Sequence, residues 1–144
     1  MAQTFPKASI TTEAARQAIV AAEAKASEID TPMVIAVVDD GGVLKAFSRM
    51  DGAALLSVQI AQDKAYTAVG FSMPTHGWYD FIKDDPPLAG GAPSGIDRLV
   101  IFGGGYPIQV DGRIVGAIGV SGGHYSQDQQ VAEAGLEALG APTG

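Results

Sequence analysis

Apolar residues recur at Ala15, Ala18, Ile19, Ala22 and Ala26, a spacing that draws one stripe along a helix over 12–28. Thr11 is placed to cap it, and Glu13 suits its positive end. The stripe is mostly alanine, so this helix must approach its neighbour closely. The pattern then changes period. Met33 to Val38 is an unbroken apolar run suited to a strand buried on both faces, "DDGG" has turn chemistry, and Val43 to Met50 reads as the returning strand. A second helical stripe, Ala54, Val58, Ala61, Ala65 and Ala68, predicts a helix over 54–69 with Ser57 and Lys64 on its border. Residues 72–98 break all periodicity. Pro74, Pro86, Pro87 and Pro93 stand among Trp78, Tyr79 and Phe81, which predicts a partly ordered excursion with a helical turn near 76–82.

"RLVIFGGGYPIQVDGRIVGAIGV" predicts three further strands, with Asp111-Gly112 as a two-residue hairpin turn. In the last of them both alternating sets are apolar or small, so it is expected at the centre of the sheet. The chain closes with a helix over 127–139, for which Ser126 and Gln129 match a capping box. The order α–β–β–α–loop–β–β–β–α predicts a single α+β domain over 1–144: an antiparallel sheet of about five strands flanked by helices.

Composition narrows the partners. Only 17% of residues are charged, the net charge is −7, and there are 19 glycines. The shortage of charge points to a surface partly covered by another subunit. Without clustered lysine or arginine the chain is not expected to bind nucleic acid, and its acidity disfavours anionic membranes. It contains no cysteine, which excludes thiolate chemistry, disulfides and Cys-held metals. The first residues carry no signal-peptide pattern and no run is long enough to span a membrane, so a cytoplasmic location is expected.

Candidate chemistry gathers where the last strand meets the last helix. "GVSGGHYSQD" fails the dinucleotide and P-loop patterns. The bare amides of Gly122 and Gly123, beside Ser121, either turn the chain or receive an anion at the helix mouth. Asp128 faces the inner side of the helix, where it either satisfies first-turn amides or enters a pocket. His76 and His124 are each a candidate acid–base group or axial haem ligand. A zinc site would need both of them together with carboxylates from distant segments, and Ser121, His124 and Asp128 lie too close in sequence to align as a triad. Arg49 and Asp51 either pair or grip an anionic ligand, and Lys64 either snorkels or meets a ligand carboxylate.

Taken together, "AVVDDGG", "RMDGA", "DKAYTA", "GGGYPI" and "GAIGVSGGHYSQDQQVAEAG" resemble, in order and spacing, the GlcG/HbpS-like haem-binding family, to which the C-terminal domain of PduO-type corrinoid adenosyltransferases is related. The resemblance covers residues 11–139. It implies a profilin-like fold, homo-oligomers from dimers to octamers, and haem binding or, in some members, haem degradation. Others are encoded beside catabolic enzymes for small organic acids. Carried over by motif, the positions of interest are Arg49, Asp51, Lys64, Thr67, Gly104, Gly105, Pro107, Ser121, Gly122, Gly123 and Asp128. The sequence departs from the family where the first helix lacks histidine, where His124 replaces a small or turn-forming residue, and where "HGWYDF" adds aromatics.

Three functions are therefore in play. The first is a binding protein for haem or a related tetrapyrrole, with His76 or His124 as axial ligand and Trp78 and Tyr79 against the ligand. The second is an enzyme on a small carboxylated metabolite, with His124, Asp128 and Lys64 as catalytic groups and Arg49 as carboxylate grip. The third is an assembly protein without a ligand.

Overall fold

The computed structural model describes residues 1–144. Helix α1 (Thr12–Glu28) begins where Thr11 Oγ1 accepts the Ala14 amide, and buries the expected alanine stripe. Strands β1 (Val34–Asp39) and β2 (Leu44–Arg49) form a hairpin. Asp39 closes its turn by accepting the amides of Gly41 and Val43. Helix α2 (Ser57–Gly70) follows, three residues shorter at its start than the pattern predicted, because 54–56 are spent in turns. Strands β3 (Gly105–Val110) and β4 (Arg113–Ser121) pair through Asp111-Gly112, both at positive φ as that turn requires.

The sheet has four strands, not five, in the order β2-β1-β4-β3, antiparallel throughout. The missing strand is the apolar run after Arg98. Two of its backbone groups are taken by α2 instead of by a ladder: Thr67 Oγ1 accepts the Val100 amide at 3.0 Å and donates to the Arg98 carbonyl at 3.0 Å. Arg98 itself is left-handed, with φ of 65°. A hydroxyl thus stands in for a neighbouring strand.

Side-chain size sorts the two faces of the sheet. Ile35, Val37, Ile118 and Val120 face α1 and α5 (Tyr125–Ala138) in the main core. On the other face Val34, Ala36, Val38 and Ala117 meet Ala61, Ala65 and Ala68 of α2. Gly119 lets α2 approach further still, since a methyl there would collide with the Ala61 carbonyl and stand 2.6 Å from the Ala65 amide nitrogen. Glycine and alanine on this face place α2 almost against the backbone of the central strand β4.

The proline-rich excursion is more ordered than expected. A 3₁₀ turn at Thr75–Gly77 leads into α3 (Trp78–Ile82), and Asp85 caps α4 (Pro86–Gly95), whose first two positions are prolines. Prolines are tolerated there because first-turn amides have no partner in the helix. The final helix also departs from expectation. It starts two residues early, and its capping box is His124 with Gln127, not Ser126 with Gln129. The His124 imidazole does the work usually given to a hydroxyl or carboxylate.

Candidate functional site

The centre of the polar arrangement is an ion pair between elements distant in sequence. Lys64 lies on α2 and Asp128 on the first turn of α5. Lys64 Nζ donates to Asp128 Oδ2 at 2.9 Å and to the Val120 carbonyl at 2.8 Å. The two side chains are 1% and 4% exposed, so the pair is dry. Asp128 Oδ1 accepts the Gly123 amide at 2.9 Å. The Phe102 ring covers the ammonium, 5.2 Å from Nζ to centroid. Burial pushes the Lys64 ammonium below its ordinary range, against the pull of Asp128. Burial likewise pushes the Asp128 carboxyl up, against Lys64 and the Gly123 and Gly122 amides. Each charge is tolerable only because the other is there.

Glycines make room for this pair. Gly104 has φ of +127°, and a methyl on it would stand 2.6 Å from the Val120 carbonyl and 2.7 Å from Lys64 Nζ. The next residue, Gly105, donates its amide to the buried Thr75 hydroxyl at 2.9 Å. Ser121 donates to Ser57 at 3.2 Å beside the same strand end. The arrangement clamps α2, β4, α5 and the 98–105 segment together.

The two histidines are set differently. His124 Nδ1 accepts the Ser126 amide at 3.3 Å and lies 2.8 Å from the Ser126 hydroxyl, while Gln127 Oε1 accepts the His124 amide. His76 is exposed, with its ring edge-on to Tyr106 at 5.5 Å between centroids. Burial raises the Tyr106 phenol to about 12, so it stays protonated at neutral pH. The "HGWYDF" segment splits by side: Trp78 is buried, whereas Tyr79 is 61% exposed. Phe71, Trp78 and Phe81 form an aromatic cluster with centroids 5.1–5.5 Å apart. The Trp78 indole N–H is buried with no acceptor within the chain.

A family model described as "Haem degrading protein HbpS-like" matches residues 10–137. The chain belongs to the HbpS-like family. It is 43% identical over 132 residues to an uncharacterized 15.0 kDa protein from the dhaT–dhaS intergenic region of Citrobacter freundii, covering 92% of this chain and 93% of that one. Its fold matches protein ORFY of Klebsiella pneumoniae with a TM-score of 0.91 at 36% identity, over 99% and 98% of the two chains. It matches the structure of a PduOC–haem complex with a TM-score of 0.87 at 32% identity, over 94% of this chain and 98% of that one.

Within this HbpS-like chain the candidate residues fall into separate places. Lys64, Asp128, Gly104, Gly105, Gly122 and Gly123 meet at the clamp, with Ser121 beside it. Arg49 does not pair with Asp51: its Nε and Nη2 donate to the Ala53 carbonyl at 3.3 and 2.9 Å. Asp51 is exposed in the following turn, and Pro107 lies on edge strand β3. Thr67 anchors the 98–100 segment. No three His, Asp or Glu side chains stand close enough to hold a metal ion, and no helix is long and apolar enough to cross a membrane. Two participants escaped sequence reasoning. Thr75 and Phe102 sit in irregular segments whose spacing carries no period, so nothing local marks them.

Proposed function

We propose that this HbpS-like chain binds haem or a related tetrapyrrole on the exposed face of the 3₁₀ turn and α3, with His76 as axial ligand and a second copy of the chain completing the site. The observation that carries this reading is the contrast between the two imidazoles. To cap α5, His124 must keep Nδ1 unprotonated, which puts the proton of the neutral ring on Nε2. Binding iron through Nε2 would move that proton to Nδ1 and break the cap. His76 has no such duty, and it lies three residues before the exposed Tyr79, on the same face of the turn. Tyr106, held as a phenol, does not compete as a tyrosinate.

Size and charge argue for a shared site. The apolar cleft beside Trp78 holds about 250 Å³, below the usual range for a drug-sized ligand. The groove between α1 and α5 is larger, about 700 Å³, but Glu28, Glu133 and Glu137 line it against the single Lys25, which is paired with Glu28, and the net negative charge would repel haem propionates. The haem-bound PduOC relative and the family's description support the ligand class. An enzyme on small carboxylates would need Lys64 or Arg49 free to grip its substrate. Lys64 is buried in its ion pair, whereas Arg49 spends Nε and Nη2 on the Ala53 carbonyl and keeps Nη1 as its remaining donor group.

Haemin titration followed by the Soret band tests this. Wild type and His124→Ser, which retains a capping hydroxyl, should show the same saturable shift. His76→Ala should weaken binding by about tenfold or more and alter the band. An unchanged titration in His76→Ala would refute the assignment. Size-exclusion chromatography with and without haemin should show haem on an oligomer, and haem on a monomer would refute the shared site.

A further inference from the structure

We infer that the cleft between α2 and the end of α4 is a separate site for a small aryl- or alkyl-ammonium compound. The cleft holds about 250 Å³, enough for a single-ring ligand and too little for a tetrapyrrole. Its walls are Tyr66, Phe71, Trp78, Ile96 and Leu99, and the single charged residue lining it is Asp97. Tyr66 already carries the Arg98 guanidinium, which leaves the Phe71 and Trp78 rings beside one carboxylate, chemistry that suits an organic cation: the rings attract the charge and the carboxylate neutralises it.

The neighbouring charges leave Asp97 available. Arg98 is already committed to α2, with Nε donating to Asp63 Oδ1 at 2.8 Å and its guanidinium over the Tyr66 ring at 4.0 Å. That pairing, with the Thr67 bonds to Arg98 and Val100, fixes the wall carrying Ile96, Asp97 and Leu99. Asp97 is exposed and takes part in none of the chain's salt bridges. The cleft therefore has rigid walls and one unneutralised negative charge.

Trp78 is the sole tryptophan of the chain and lines this cleft, so its emission in haem-free protein reports on ligands bound there. Phenethylamine, phenethyl alcohol and phenylacetate share one ring and differ in charge, and each is titrated against haem-free protein. The amine should change Trp78 fluorescence saturably and bind about tenfold or more tighter than the alcohol, with the acid weakest. Asp97→Asn, a substitution at an exposed position, should bring the amine down to the alcohol's affinity. No saturable response to the amine, equal binding of the three compounds, or an Asp97→Asn variant with undiminished amine affinity would each overturn the assignment. The haemin titration stands apart, since His76→Ala leaves every wall of this cleft in place.

Discussion

Asp128→Ala isolates the role of the buried ion pair. It removes the partner of an ammonium that is 1% exposed, leaving Lys64 Nζ with the Val120 carbonyl and the Phe102 face. Stranding a buried charge in this way costs about 3–5 kcal/mol. At roughly 3 °C per kcal/mol for a chain of this size, Tm should fall by about 9–15 °C. Lys64→Met/Asp128→Leu removes both charges and keeps apolar volume. It forfeits the acceptor of the Gly123 amide and the donor to the Val120 carbonyl, about 1 kcal/mol each, and gains from the desolvation no longer required. The double variant should therefore lie within about 2 kcal/mol of wild type and well above Asp128→Ala.

The pH dependence has a definite sign. Lys64 titrates below its ordinary 10.5 in the folded chain, so between the two values the unfolded chain holds more protons and stability climbs as pH rises. Asp128 titrates above its ordinary 3.8, so between 3.8 and its folded value the folded chain holds the extra proton and stability falls as pH rises. Urea denaturation of the three proteins across pH measures all of this. Both slopes should vanish in the double variant. A cost for Asp128→Ala below about 1 kcal/mol, or a double variant no more stable than the single one, would refute the account of a dry, mutually dependent pair.

Two further outcomes follow from the packing. Gly119→Ala should destabilise by about 1–3 kcal/mol or more in thermal melts, because its methyl collides with the α2 backbone at Ala61 and neither element can retreat cheaply. His124→Ala should cost about 1 kcal/mol by losing the α5 cap, and His124→Asp should recover most of it, since a carboxylate also accepts first-turn amides. Equal stability of the two His124 variants would mean that the cap contributes nothing measurable.

Local pattern was enough for much of the fold. Helix α1 and its Thr11 cap, the buried Val34 to Val38 of β1, the Asp111-Gly112 hairpin and the central place of β4 follow from periodicity and turn chemistry acting over a few residues. So does the inward face of Asp128, because helical geometry alone sets it three and four residues from Val131 and Ala132. The 98–102 run misled because its apolar pattern is that of a strand. What decides a strand is where its amides and carbonyls find partners, and here the Thr67 hydroxyl supplies them. The α5 cap was equally hidden. Ser126 is a common capping residue, but its own amide donates to His124, and no propensity ranks imidazole first.

By itself, then, the sequence determined most of the element types, the buried faces and the class of fold, since these depend on interactions between near neighbours; the 98–102 run and α4 were the exceptions. Only the tertiary structure decided what Lys64 does. At 100° per residue it sits on the border of its stripe, equally able to reach solvent. Its burial is stable because a carboxylate 64 residues away arrives at 2.9 Å, and glycines on a third segment leave room for both. Which charges meet in the interior is a property of the folded chain, and no local pattern contains it.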